Sequence, residues 1–475
     1  MSTTRSGHIE QAARHGATAR RSRLVVAGPG PGEARLRELL RQPGCPVCSE
    51  GRDAEARYFF WLLNETTADP RALEQVAAAG AFCPEHGAML ASFKAFGEVT
   101  YVHAYAARRA LRLLSAAAGG RGPASMRSRA LIRTACPACA ARDAQHRLAL
   151  DVLERLLGIP PGGESGGPAL LCFPHLQCLG SRAHGALLEQ LVTRHHEATA
   201  RLEDSVTPAS PASRDAVLPW RAETRDPVAA MLDACESPDA CPVCHEALRA
   251  RGEWLAWLAE ATTRGRDQLE DVLPTCPRHL RAATGHRSAP LAAAATAHAL
   301  GAVRARLQLT IELLGPRGPF RGERISRWRL LRPVAERRRR SLARAALARP
   351  MHCPPCHREA TAVDRALRLL LALLEQDAHR ARYERGHGLC VRHFDAAQRL
   401  TPRERVSAFL IDALSAKLAV LQWELEESLR KNAWSARPEG PGAEQTSWLR
   451  ALRRFSGILE PADAPGTPLD ARGWP

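Results

Sequence analysis

Four times along this chain a Cys-Pro-x-Cys pair is followed, at nearly the same interval, by Cys-x-x-His. The sets are Cys45, Cys48, Cys83 and His86; Cys136, Cys139, Cys172 and His175; Cys241, Cys244, Cys276 and His279; and Cys353, Cys356, Cys390 and His393, with 34, 32, 31 and 33 residues between the pairs. A period of this length marks a chain built from repeated units. Proline follows the first cysteine each time, at Pro46, Pro137, Pro242 and Pro354. It suits a turn that opens a helix, because its missing N–H is not needed at the first helical position.

The residues between the pairs read as helical. A bulky apolar pair recurs 13 and 14 residues after the second cysteine, at Trp61/Leu62, Val152/Leu153, Trp257/Leu258 and Leu369/Leu370. That offset predicts one buried face repeated in each unit. Asp69-Pro70 reads as a cap with a first-turn proline, and Gly80 as the stop of a short return helix. The resulting hairpin is expected to fold each Cys-x-x-His back onto the CPxC of its own unit; in the second copy, "GIPPGGESGGPALLC" predicts a loop as the return arm. A longer helix follows each hairpin, and strand signals are scarce.

The expected fold is therefore all-α, with tandem helical repeats. Units span 34–120, 121–205, 226–315 and 351–434, joined by linkers at 206–225 and 316–350, with a disordered basic tail at 1–33 and a flexible one at 435–475. Fourteen cysteines without a secretory signal argue against a disulfide framework and for a reducing, cytoplasmic setting. The repeat accounts for twelve of them, leaving Cys178, expected to be a buried thiol, and Cys235.

Three thiolates and an imidazole are a usual donor set for structural zinc, and four protein ligands close the shell against catalysis. Up to four Zn²⁺ ions are the expectation. An iron-sulfur cluster uses related ligands, though the usual close-packed cysteine triplets are missing. CPVC also resembles a redox dithiol, but without the βαβ setting, and that reading leaves the Cys-x-x-His pair idle. No P-loop and no HExxH motif points to catalysis elsewhere. His245 and His357 follow site cysteines and are expected to be exposed rather than substitute ligands; His195 and His196 are expected on a solvated helical face.

The stretch "CPVCSEGRDAEARYFFWLLNETTADPRALEQVAAAGAFCPEHGAML" resembles an uncharacterised bacterial family of unknown function, whose members pair a CPxC helix start with a Gly-aromatic/apolar-Cys-x-x-His helix start. The likeness covers Cys45 to Leu90, returns from Cys353 to His393 with "GLCVRH", and is looser in the other copies. It implies a helical fold and metal ligands at the matched positions, and no established activity.

The formal charge is +17, and twelve arginines between Arg317 and Arg349 stand against only Glu323 and Glu336. Nucleic acid is one expected polyanion for this segment, with Arg324, Arg327, Arg329, Arg337, Arg338, Arg339 and Arg340 meeting phosphates and Trp328 stacking; a solvated linker helix is the other reading. A long final helix, with Thr401, Pro402 and Glu404 as its start and Ile411, Leu414, Leu418, Leu421 and Leu425 as a coiled-coil seam, reads either as a docking element for a protein partner or as a helix packed within the chain on the fourth unit. No apolar run approaches the roughly 18 residues of a membrane span.

Overall fold

The computed structural model describes residues 31–93, 95–118, 130–158, 170–183, 185–206, 226–264, 276, 278–280, 282, 289–315, 332–349, 353–400, 403–432, 439–440 and 442–457. The fold is all-α, with no strand among these residues. The first copy supplies α1 (Pro31–Leu39), α2 (Pro46–Asn64), α3 (Pro70–Ala78), α4 (Pro84–Ser92) and α5 (Phe96–Ala118). The second supplies α6 (Pro137–Gly158), α7 (Phe173–Arg182) and α8 (Gly185–Ser205). The third supplies α9 (Pro227–Glu236), α10 (Pro242–Arg264) and α11 (Ala289–Leu314), and α12 (Arg332–Ala348) follows. The fourth supplies α13 (Pro354–Leu373), α14 (Asp377–Arg385), α15 (Val391–Leu400) and α16 (Glu404–Lys431), before the closing α17 (Ser447–Ser456).

Local signals explain the helix ends. Asp69 caps α3 by accepting a 2.9 Å hydrogen bond from the Arg71 amide, with proline in the first turn. Gly80 follows that helix at φ 64°, a left-handed conformation that suits glycine. Thr401 and Pro402 lie outside the described residues; α16 begins at Glu404, with Arg403 at the N-cap.

Long-range packing closes the four copies into a cycle. The CPxC helices pair first with second, α2 on α6, and third with fourth, α10 on α13. The long helices pair the other way, α8 on α11 and α5 on α16. One apolar core unites α2–α5 with α13–α17, around Phe59, Phe82, Leu114, Phe394, Leu418 and Phe455. A second joins α6, α7 and α8 to Leu307 of α11 and Leu347 of α12. Each such fully buried leucine or phenylalanine contributes about 2 kcal/mol by leaving water.

Several expectations change. The seam Ile411, Leu414, Leu418, Leu421 and Leu425 is buried inside the chain, and α16 packs on α5 and α17, so it is core rather than a free docking face. By length and composition α16 is the one described helix able to cross a bilayer, yet its apolar stripe is spent on these neighbours. Residues 442–457, expected in a flexible tail, form a 3-10 turn and α17, held by buried Ala451, Leu452 and Phe455. Of each apolar pair only the second member is uniformly buried: Leu62, Leu153, Leu258 and Leu370 are at most 2% exposed, while Trp61 is 50% exposed. A helix turns 100° per residue, so one stripe cannot hold both neighbours equally.

Candidate metal centre

All eight short pairs sit at a helix start. The carbonyl of each first cysteine accepts a hydrogen bond from the amide four residues on, from Cys45 to Ser49 and from Cys390 to Phe394 alike. Where the cap is described, as at Cys45, Cys83, Cys172 and Cys353, its side chain makes no capping bond. The sulfur is free to point across to another element. The second ligand, three residues later, shares that helix face.

The structure gathers all sixteen residues into four groups, but not the groups expected from the hairpins. Site 1 is Cys45, Cys48, Cys172 and His175; site 2 is Cys83, His86, Cys136 and Cys139; site 3 is Cys241, Cys244, Cys390 and His393; site 4 is Cys276, His279, Cys353 and Cys356. Each CPxC meets the Cys-x-x-His of the neighbouring copy, so every group ties two copies together. The physical reason is length. The 19 residues of α2 rise ~28 Å while the nine of α3 return only ~14 Å. Cys83 and His86 therefore stop beside the middle of α2, where His86 meets Glu55. There α6, running antiparallel, delivers Cys136 and Cys139.

Gly51 permits that close pairing. A Cβ there would lie 2.0 Å from His146 Nε2 and 3.1 Å from Arg142 Cγ, both on α6. Glu50 accepts a 2.6 Å hydrogen bond from Gln145 across the same contact.

Within each group the ligand atoms all lie within 4.8 Å of one another. Histidine Nδ1 faces the sulfurs each time, at 3.4, 3.4 and 3.1 Å in site 1 and 3.5, 3.3 and 3.4 Å in site 3. Sulfur–sulfur approaches are 3.5 Å for Cys48 and Cys172, 3.7 Å for Cys83 and Cys139, 3.8 Å for Cys244 and Cys390, and 3.6 Å for Cys276 and Cys356. These are far from a disulfide's ~2.05 Å. They match the edges, about 3.5–3.8 Å, of a tetrahedron whose metal–sulfur and metal–nitrogen bonds are ~2.3 and ~2.05 Å.

The outward nitrogen is also positioned. His86 Nε2 lies 2.9 Å from Glu55 Oε1 and His279 Nε2 lies 3.0 Å from Glu359 Oε1, the carboxylate support that orients a ligating imidazole. His175 Nε2 instead faces His146 Nδ1 at 3.4 Å. Glu55 and His146 each stand seven residues after the second cysteine of their own copy. Arg251, at the same offset, approaches Glu359 at 3.9 Å, and Val363 holds that position in the fourth copy. Comparing that offset across the copies would have drawn attention to these residues in the sequence.

The clusters favour a cation. Burial pulls the His86 imidazole down, yet Cys136, Cys83 and Glu55 outweigh it and hold it at about 12. His175 is held at about 9 in the same way, with Cys45 and Cys48 outweighing burial.

Other singled-out residues separate cleanly. His245 and His357 are exposed and outside the groups. His195 is buried rather than solvated: Nε2 accepts from the Leu171 amide at 2.9 Å and Nδ1 bonds the Leu191 carbonyl at 2.6 Å, fixing the approach to Cys172. Cys178 is exposed, not buried, whereas Cys235 is buried and its thiol is pushed up to about 12 by burial. Arg324, Arg327, Trp328 and Arg329 lie outside the described residues. Arg337, Arg338 and Arg340 are exposed on α12 and Arg339 is half-buried, while Ala343 and Leu347 of that helix are buried.

No protein-family model matches the chain, no curated protein matches its sequence and no solved structure matches its fold.

Proposed function

We propose that this protein is a non-catalytic helical scaffold whose four copies are fastened in pairs by four zinc ions. The observation that supports this best is the exchange of ligands: each three-Cys-one-His set spans two copies, so a bound ion acts as a cross-link between helix pairs. Four protein ligands at tetrahedral spacing leave no position for water or substrate. Three thiolates, a neutral imidazole and a divalent ion carry about one net negative charge, which helix N-termini stabilise. A structural ion of this kind contributes on the order of 10 kcal/mol to a small site. The scaffold would present its exposed surface to a protein partner.

Elemental analysis of protein purified without chelator tests the reading: close to four zinc per chain is expected. Fewer than one metal per chain would overturn it, and a brown sample absorbing near 400 nm would assign the sites to iron-sulfur clusters.

A second reading rests on α12, whose Arg337, Arg338 and Arg340 face solvent while Leu347 anchors the helix. Gln177 donates to the carbonyls of Leu347 and Arg349, and Arg344 to that of Ala183, so the docked end is rigid. This favours salt-dependent, sequence-independent polyanion binding. Replacing the four arginines 337–340 with alanine should abolish retention of DNA and RNA at low salt; unchanged retention would leave α12 a structural helix.

A further inference from the structure

Site 3 differs from the other groups in what surrounds it. Its three cysteines are all buried, and α17, which belongs to none of the four copies, packs against α15, the helix that opens with Cys390 and His393. The end of α17 reaches the ligands directly, since a Cβ on Gly457 would lie 3.2 Å from Cys244 Sγ.

One side chain of α17 has no ordinary explanation. Arg454 is 7% exposed and donates a 3.0 Å hydrogen bond to the carbonyl of Leu389, the residue before Cys390. Among the described residues no carboxylate pairs with it. Isolating a guanidinium from water costs several kcal/mol unless an anion lies close. Burial pulls the Arg454 guanidinium down, and the groups that oppose it are Tyr383, whose buried hydroxyl accepts from the Leu389 amide at 2.8 Å, and then Cys390 and Cys241. Burial also raises the Tyr383 hydroxyl, which stays neutral, so the thiolates of site 3 are the opposing anion.

We infer that Arg454 is the outer counter-ion of site 3, and that α17 is the lid that carries this charge onto the site. The inference rests on the metal-binding reading above. A divalent ion with three thiolates and a neutral imidazole leaves one negative charge, which Arg454 cancels; a trivalent ion would leave Arg454 uncompensated. Site 3 is thus matched to a divalent ion and acquires its full affinity only when α17 is docked. Carboxylates beside the histidines of sites 2 and 4 do different work, since they hold the imidazole rather than offset the cluster.

Cobalt(II) titration of the metal-free full chain, read by its tetrahedral thiolate d–d absorption, tests this. Arg454→Gln keeps a donor for the Leu389 carbonyl and removes the charge, whereas Arg454→Lys keeps the charge. The wild type should take up four cobalt ions. The Gln variant should take up three at the same free cobalt and the fourth only at about tenfold more, a loss typical of outer-sphere partners; the Lys variant should fall between. Arg450→Gln, which breaks the 2.7 Å pairing of α17 with Glu424 away from the site, controls for loosening of the helix and should bind like wild type. Four equal sites in Arg454→Gln, or an equal loss in the Gln and Lys variants, would overturn the inference. A wild type that binds no cobalt would overturn the metal reading instead.

Discussion

Sites 3 and 4 are made from the same two copies by the same exchange of ligands, yet they sit in opposite surroundings. Site 3 has every sulfur buried beneath α17, while site 4 leaves Cys356 exposed and Cys276 half-buried. Site 3 is backed by a cation, Arg454; site 4 is backed by Glu359, itself paired with Arg278 at 3.3 Å. Identical ligands therefore do not make identical sites. The element added outside the repeat, α17, decides which one is sealed.

The largest effect should come from removing a ligand of the sealed site. Cys390→Ser should lose one metal and destabilise the core shared by α13–α17, with part of a site energy on the order of 10 kcal/mol forfeited. The corresponding change at site 4, Cys356→Ser, should lose one metal with a much smaller fall in melting temperature. Equal falls in the two variants would show that α17 gives site 3 no special place.

Backbone approach comes next. Gly386 stands where a Cβ would lie 1.9 Å from the Cys235 carbonyl oxygen, and the His387 amide donates to the Ser237 carbonyl at 2.6 Å. This contact sets the segment leading into Cys390 against the one leading into Cys241. Gly386→Ala should cost about 4 kcal/mol, in the exceptional range for one substitution, and should release the metal of site 3 before that of site 4. Release in the opposite order would separate the contact from the site.

How much of this was legible in the sequence depended on how local each feature was. Asp69, Gly80 and the cysteine-led helix starts act over one turn, and the structure places them as the pattern implied. The partner of each CPxC depends on something no motif records: a nine-residue return helix too short to retrace α2, and a glycine at 51 that lets α6 lie close. The seam of α16 was visible as an apolar stripe, but a stripe does not say what covers it, and α5 from the far end of the chain does. His195 departs from the expected solvated face because its hydrogen bonds run to backbone groups at Leu171 and Leu191, which have no signature in side-chain periodicity.

The smallest effect concerns acid and the lid. His103 on α5 is fully buried against Phe455 of α17, with ring centroids 5.7 Å apart, and burial holds it down at about 4. Its Nδ1 donates to the Val99 carbonyl at 2.7 Å, while Nε2 is buried with no hydrogen-bond partner among the described residues. A histidine depressed on folding stays neutral, so its contribution is intact above the unfolded value near 6.5 and is lost as pH falls toward 4. The loss amounts to about 3 kcal/mol over that window. Protonation at that interface should loosen α17 and uncover site 3, so that its chelator-driven release at pH 5 approaches the rate at site 4. His103→Phe keeps a ring of similar size with no titrating group, and should preserve the difference between the two sites at pH 5. If wild type and His103→Phe lose the metal of site 3 at the same rate at pH 5, the acid sensitivity of the lid lies elsewhere.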